Sequence, residues 1–293
     1  MLHTALLQMA ATASPLAQIC GDDYKLTQDQ VSSFHQNGYL TLSRIVTDDE
    51  LAGLEKVFDE FNEGKRGVDL GRDFGDHSQG HGTARKNFNM INVNVPCAHD
   101  PSWANNIFER RAFSITKQLY GEGMKKDYEQ LLTKLPNRPK AVFPFHQDMA
   151  YWPKRSGQDT RTATVSLALN AANEDNGCLL VLPSSHKSKS LYGAHEDFGK
   201  NKDEKGDTRA IVLKLTAEDE GKIVPLPVVR GGCTIHEEWI VHGSGGNGSD
   251  GPRKTYVVAF RDERMIEYER KNGFNHSYND DPSVIEKIRG GEL

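Results

Sequence analysis

No CxxC pair occurs in this chain of 293 residues; its four cysteines, Cys20, Cys97, Cys178 and Cys233, lie far apart and at irregular intervals. That spacing argues against a zinc knuckle or a dithiol redox motif and fits reduced, buried thiols. No apolar run is long enough for a membrane-spanning helix. Basic residues are not in excess: 36 Lys and Arg stand against 41 Asp and Glu, for a net charge of −5. A general nucleic-acid binder is therefore not expected, and neither is a membrane partner. The first twenty residues contain no acidic residue, no arginine and no basic n-region. A targeting signal is thus only weakly written there, and a cytoplasmic location is the expectation. Internal repeats and a clean linker are also missing. One domain over residues 1–293 is expected, with 1–24 as a loose N-terminal segment, in a monomer or weak homo-oligomer. With 37% hydrophobic and 26% charged residues the chain can bury a core.

Two helices can be placed near the start. Thr27 caps a short one in which Val31 and Phe34 share a face and Gly38 is the stop. Thr47 with Glu50 forms a capping box for a second, whose apolar face is Leu51, Leu54, Val57, Phe58 and Phe61, with Gly64 closing it. Residues 102–120 carry Trp103, Ile107, Phe108, Ile115 and Leu119 at helical spacing. From about residue 128 short apolar segments alternate with turns: 162–169, 178–182, 210–215, 222–229, 233–236, 239–241 and 255–260. Many short strands punctuated by glycine and proline predict a sandwich or barrel, with the helices packed on its outside. Two stretches lack any period, 64–90 and 187–209, and read as a binding loop and a flap.

His146-Gln147-Asp148 carries the chemistry. In an extended segment, residues i and i+2 face the same way, so His146 and Asp148 can reach one ion. His242, on a distant apolar segment just before a glycine turn, supplies a third ligand. Two imidazoles and one carboxylate are the donor set that holds one face of a non-haem Fe(II) and leaves positions for a cosubstrate and O2. Arg253 opens the next strand, and its planar fork suits a carboxylate. Metal ligands with a carboxylate clamp are what chelation of 2-oxoglutarate on iron requires. A lone HxD triplet is weak in a chain with 11 histidines. The combination is what gives it weight.

Three blocks resemble the phytanoyl-CoA dioxygenase family. They are Phe145-His146-Gln147-Asp148-Met149-Ala150-Tyr151-Trp152-Pro153, then Asn176-Gly177-Cys178-Leu179-Leu180-Val181-Leu182-Pro183-Ser184-Ser185-His186-Lys187, then Val241-His242-Gly243-Ser244-Gly245 followed by Arg253-Lys254. Phe34-His35-Gln36-Asn37-Gly38-Tyr39-Leu40 matches the family's opening element, so the resemblance runs over roughly residues 27–262. It implies a mainly β fold, a double-stranded β-helix of the jelly-roll or cupin-like kind, with flanking N-terminal α-helices. It implies Fe(II) on His146, Asp148 and His242, and 2-oxoglutarate with Arg253 on its distal carboxylate and Ser244 beside it. Lys134 and Gln130 fall in the family strand before HxD and are candidates near the cosubstrate. His186 and His236 also fall in matching blocks, but metal binding is not expected of either.

The reaction so implied consumes O2 and 2-oxoglutarate, releases succinate and CO2, and oxidises a C–H bond by hydroxylation, desaturation or ring closure. The family's halogenases replace the carboxylate ligand with a small residue, so Asp148 argues against halogenation. Two alternatives stay open: another jelly-roll metalloenzyme, which needs no clamp like Arg253, and a catalytically silent binding protein. The substrate is expected to be a small molecule, an anionic or specialised metabolite. Arg72, Arg85 and Lys86 in the 64–90 loop would grip its charge, Tyr151 and Trp152 would wall the pocket, and the 187–209 flap would close over it.

Overall fold

A computed structural model of the chain describes residues 18–71, 73–76, 78, 83–152, 160–193, 195–197 and 211–274. Helix α1 is Gln28–Asn37, and Thr27 forms a capping box with Gln30. Gly38 stops it at φ 83, a conformation open to glycine. Strand β1 is Tyr39–Leu42. Helix α2 is Asp48–Asn62, opened by the Thr47–Glu50 capping box. Short β2, Phe74–Gly75, lies inside what the sequence presents as one loop over 64–90 and pairs with β3, Met90–Asn94, which starts at that loop's last residue. Helix α3 is Ile107–Tyr120. It begins later than the apolar spacing suggests, because Asn105 takes a positive φ of 58 and the Asn106 side chain caps the Glu109 N–H. Trp103 belongs instead to a separate turn, Pro101–Trp103.

The remaining strands are β4 Met124–Lys134, β5 Phe143–His146, β6 Thr162–Ala168, β7 Leu179–Leu182, β8 Val224–Leu226, β9 Cys233–His236, β10 Val241–Ser244 and β11 Arg253–Asp262. Helix α4, Glu263–Lys271, closes the described part and has no clear warning in the sequence. A seven-stranded antiparallel sheet runs β1-β9-β6-β11-β4-β3-β2, and a four-stranded one runs β8-β7-β10-β5. The fold is mainly β, a jelly roll with helices on one outer face.

Strand alternation decides what faces where. Val93, Leu131, Val165, Leu167, Ile235, Tyr256 and Val258 turn outward and pack with Phe34, Phe58, Phe61, Phe108 and Ile115 of the helices. The next residues along each strand, among them Lys134, Thr164, His236 and Arg253, turn to the opposite face, toward the smaller sheet. The helical layer thus makes the large sheet rigid, and the other face is left for polar side chains.

The expected loose segment stops short of residue 24. Residues 1–17 lie outside the described ones, but Ile19–Cys20 pairs with Asp23–Tyr24, and Tyr24 is buried against α3. Of the flap, 194 and 198–209 lie outside the described residues; His195–Asp197 pairs with Ile211–Leu213. Among the described residues no helix is long and apolar enough to cross a membrane.

Candidate active site

Strand β5 ends at His146 and pairs with β10 so that His146 faces His242. Asp148 opens a 3-10 turn, Asp148–Ala150, and swings back between them. Its Oδ1 lies 3.6 Å from His146 Nε2 and 3.4 Å from His242 Nε2. The three candidate ligand atoms all lie within 4.8 Å of one another. Each histidine donates its Nδ1–H to the backbone carbonyl two residues earlier, His146 to Pro144 at 2.7 Å and His242 to Ile240 at 3.0 Å. That fixes the tautomer: the proton sits on Nδ1, and the Nε2 lone pair points into the cluster. Burial pushes the His146 imidazole pKa down, which favours the neutral, ligating form. Burial alone would raise the Asp148 carboxyl, but the imidazoles that surround it, His242 first, hold it well below the usual range. Gln147 points the other way. Its amide donates to Trp239 O at 2.7 Å and Ser190 O at 3.2 Å, and its Oε1 accepts from Tyr192 N. The middle residue of the triplet therefore staples the turn before His242 and the start of the flap to the metal motif.

Arg253 and Lys134 are direct partners across β11 and β4. Both are buried, and neither meets a carboxylate among the described residues. Lys134 Nζ donates to Ser244 Oγ at 2.6 Å and to Gly245 O, and lies over the Phe143 ring. Arg253 Nε and Nη1 are buried with no hydrogen-bond partner. Burial pushes the guanidinium to about 10, still charged near neutrality. Burial, then the neighbouring Arg253 charge, pushes the Lys134 ammonium well below its usual value. Two buried basic groups without a counter-charge form a costly arrangement that a dianion would relieve. Ser244 lies two residues from His242, on the same face of β10, so this candidate anion site is one strand repeat from the candidate metal ligands.

The other expected residues divide. Gln130 faces the same way as Lys134 and donates to Asn94 Oδ1 at 3.4 Å; Tyr128 OH donates to the same oxygen at 3.1 Å. Tyr151 meets the His146 ring edge-on, centroids 5.4 Å apart. Trp152 packs with Met149, Trp239, Ala259 and Phe274, with Arg261 over its ring. Arg85 is not brought to the cluster. Its guanidinium donates to Asn62 O and Glu63 O and covers Phe74, so it caps the end of α2 instead. Lys86 is exposed in the same turn, Arg85–Asn87. Arg72 lies outside the described residues.

A second group of metal-binding type, Cys97, Glu109 and Glu129, lies on the helical side of the large sheet. There Lys126 Nζ sits 3.0 Å from Glu109 and 3.5 Å from Glu129, and Tyr256 OH donates to both carboxylates. An ammonium already occupies the place a metal ion would take.

Two functional-looking residues had no signal in the sequence. Glu237 and Glu238 follow His236 and are both buried, each with one oxygen lacking a partner. Burial raises the Glu238 carboxyl to about 7; burial and its neighbour's charge raise Glu237 to about 9. A raised carboxyl stabilises the fold in its protonated form, so its contribution is complete below the unfolded value of 4.5. It is lost as pH rises through the folded value. Wild-type stability should therefore fall between about pH 5 and pH 8. In Glu238→Gln, whose amide mimics the protonated acid, the fall should shrink by on the order of 2–3 kcal/mol. Urea melts at the two pH values measure it; parallel pH profiles for the two proteins would refute it.

Comparisons with known proteins agree on one family. Residues 34–255 match the profile of the phytanoyl-CoA dioxygenase family. An ectoine dioxygenase from Bordetella bronchiseptica is 26% identical over 260 residues, covering 85% of this chain and 80% of its own. The human peroxisomal phytanoyl-CoA dioxygenase is 24% identical over 244 residues, covering 82% of this chain and 69% of its own. Among solved structures, EvdO2 from Micromonospora carbonacea var. aurantiaca, complexed with 2-oxoglutarate, superposes with a TM-score of 0.65 at 23% identity. That match covers 81% of this chain and 91% of EvdO2.

Proposed function

This chain belongs to the phytanoyl-CoA dioxygenase family of Fe(II)/2-oxoglutarate-dependent oxygenases, and we propose that it oxidises a C–H bond of a small polar metabolite. Hydroxylation, desaturation and ring closure all lie within this reading. His146, Asp148 and His242 would hold the iron, and Arg253, Lys134 and Ser244 the distal carboxylate of 2-oxoglutarate. Iron, O2 and 2-oxoglutarate supply the oxidising chemistry when bound, with succinate and CO2 released.

The observation that carries the reading is the buried Arg253 fork with two unpartnered nitrogens beside buried Lys134. A residue pair so placed destabilises the empty protein and gains its partner only from an anionic ligand. One strand repeat, roughly 7 Å, separates Ser244 from His242 along β10, a span that suits a five-carbon diacid reaching from the metal to the clamp. The donor set fits as well: two neutral imidazoles with free Nε2 lone pairs and one ionised carboxylate.

The substrate reading rests on different residues. Among the described residues, the basic side chains of the 64–90 loop are largely engaged with their neighbours: Lys65 with Glu63, Arg66 with Glu60 and Asp100, Arg85 with the end of α2. An anionic substrate thus has little support among the described residues of that loop beyond Lys86. The face that carries Lys134 also carries Gln130, and Asn94 meets both Gln130 and Tyr128. Such a wall suits a ligand rich in hydroxyl or amide groups better than an acyl chain.

The test is succinate formation from 2-oxoglutarate with Fe(II) and O2, against a panel of amino-acid derivatives, glycosides, carboxylates and a long-chain acyl thioester. Iron-dependent succinate release, stimulated most by the hydroxyl- or amide-rich compounds, is the expected result. No turnover under any condition would sink the assignment. A best response to the acyl thioester would overturn only the polar-substrate reading.

A further inference from the structure

Asp148 is held by two donors that no family resemblance assigned. Its two oxygens have different surroundings. Oδ1 faces His146 and His242, whereas Oδ2 accepts from Thr164 Oγ1 at 3.0 Å and lies 3.2 Å from His236 Nε2. Thr164 on β6 and His236 on β9 are direct partners in the large sheet. The register therefore aims two neighbouring side chains of one sheet at a single oxygen held by the other. Slipping the register by one residue would turn both away.

His236 is a third imidazole at this cluster, its ring 4.2 Å from that of His242. Its hydrogen bonding distinguishes it from the other two. His146 and His242 each spend Nδ1–H on a carbonyl and keep a lone pair on Nε2. His236 Nδ1 is buried and has no partner among the described residues. A proton on Nδ1 would leave a buried donor orphaned and set the Nε2 lone pair against a carboxylate oxygen, two unfavourable contacts. A proton on Nε2 leaves only one acceptor unpaired and makes a charge-assisted hydrogen bond.

We propose that His236, as the Nε2–H tautomer, is a positioning residue: with Thr164 it anchors Asp148 Oδ2, so that Asp148 offers the metal Oδ1 alone. The inference rests on the functional reading above. Anchoring fixes the carboxylate's orientation before metal arrives and keeps its second oxygen out of the coordination sphere, which leaves room for cosubstrate.

Co(II) alone, added to the metal-free full-length protein, tests this through binding affinity and the visible d–d spectrum, neither of which needs turnover. His236→Phe should weaken Co(II) binding about 10- to 100-fold, the range for loss of an outer hydrogen bond on a ligand. It should also change the spectrum. Thr164→Val should act in the same direction, by about threefold to tenfold. His236→Gln, whose side-chain amide reaches where Nε2 was, should recover most of the affinity. His146→Gln supplies the reference for loss of a true ligand.

Wild-type affinity and spectrum in His236→Phe would overturn the proposal. So would a loss in His236→Gln as deep as that in His146→Gln, since His236 would then be a ligand. If His236→Phe fails to fold, an unchanged Thr164→Val overturns it equally. Wild-type protein that binds no Co(II) would overturn the functional reading and this inference together. Tight wild-type binding with indifferent variants would overturn this inference alone.

Discussion

Replacing Arg253 by alanine should raise the Kd for 2-oxoglutarate by on the order of a hundredfold. A charge-assisted, forked contact contributes about 2–3 kcal/mol, and each 1.4 kcal/mol is about tenfold. Arg253→Lys keeps the charge but loses the planar fork, and should still weaken binding about tenfold. A second readout has the opposite sign. Arg253 Nε and Nη1 have no partner among the described residues, so Arg253→Met removes a buried, uncompensated charge. The ligand-free variant should then melt higher than wild type, by a shift matching about 1–3 kcal/mol. Adding 2-oxoglutarate should raise the melting temperature of wild type and leave that of the variant unmoved. Thermal melts with and without 2-oxoglutarate decide it. A merely structural arginine would give the reverse pattern, a lower Tm in Arg253→Met with an unchanged ligand shift.

Much of this site was legible from residue type and spacing. The HxD triplet, the distant histidine and the arginine that opens the next strand are recognisable because each needs only its own strand to present it. The capping boxes at Thr27 and Thr47 are likewise local, and both occur as read. What was not legible depends on strand pairing. His236 and Thr164 become partners only through the β6–β9 register, and Arg253 meets Lys134 only through β4–β11. No periodicity in either strand announces these pairs. The local ion pairs of the 64–90 loop were hidden for a similar reason. Its lysines and arginines look available in sequence, but Glu60, Glu63, Asp100 and the carbonyls at the end of α2 take several of them. Met90–Asn94 is buried on both faces, and its Ile91-Asn92-Val93-Asn94 alternation runs over only four residues, the shortest that marks a strand. Across the fold, the smaller sheet carries both candidate histidine ligands, and Asp148 follows directly from its edge strand. The large sheet, stiffened by the helices, carries the clamp and the groups that hold Asp148 still.

Removing the carboxylate from the metal cluster should have the largest effect on turnover. Asp148 is the residue on which both sheets converge: it faces His146 and His242 through Oδ1 and accepts from Thr164, and on the tautomer argued above from His236, through Oδ2. A bound metal ion contributes several kcal/mol of transition-state stabilisation. At about 1.4 kcal/mol per tenfold, Asp148→Ala should reduce succinate formation on the order of a thousandfold or more. His146→Ala and His242→Ala should fall as far, and combining any two should add little, because the three act as one unit. The stability effects should differ. Asp148→Ala leaves the Thr164 hydroxyl and the His236 N–H without an acceptor in a buried place, at about 1–3 kcal/mol for each. His146→Ala instead frees only the Pro144 carbonyl. Asp148→Ala should accordingly melt lower than His146→Ala while both lose the metal. Iron content after desalting, turnover and thermal melts measured together test the prediction. Retained turnover in either variant would remove that residue from the ligand set, and equal melting temperatures would remove the anchoring of Asp148 from the account.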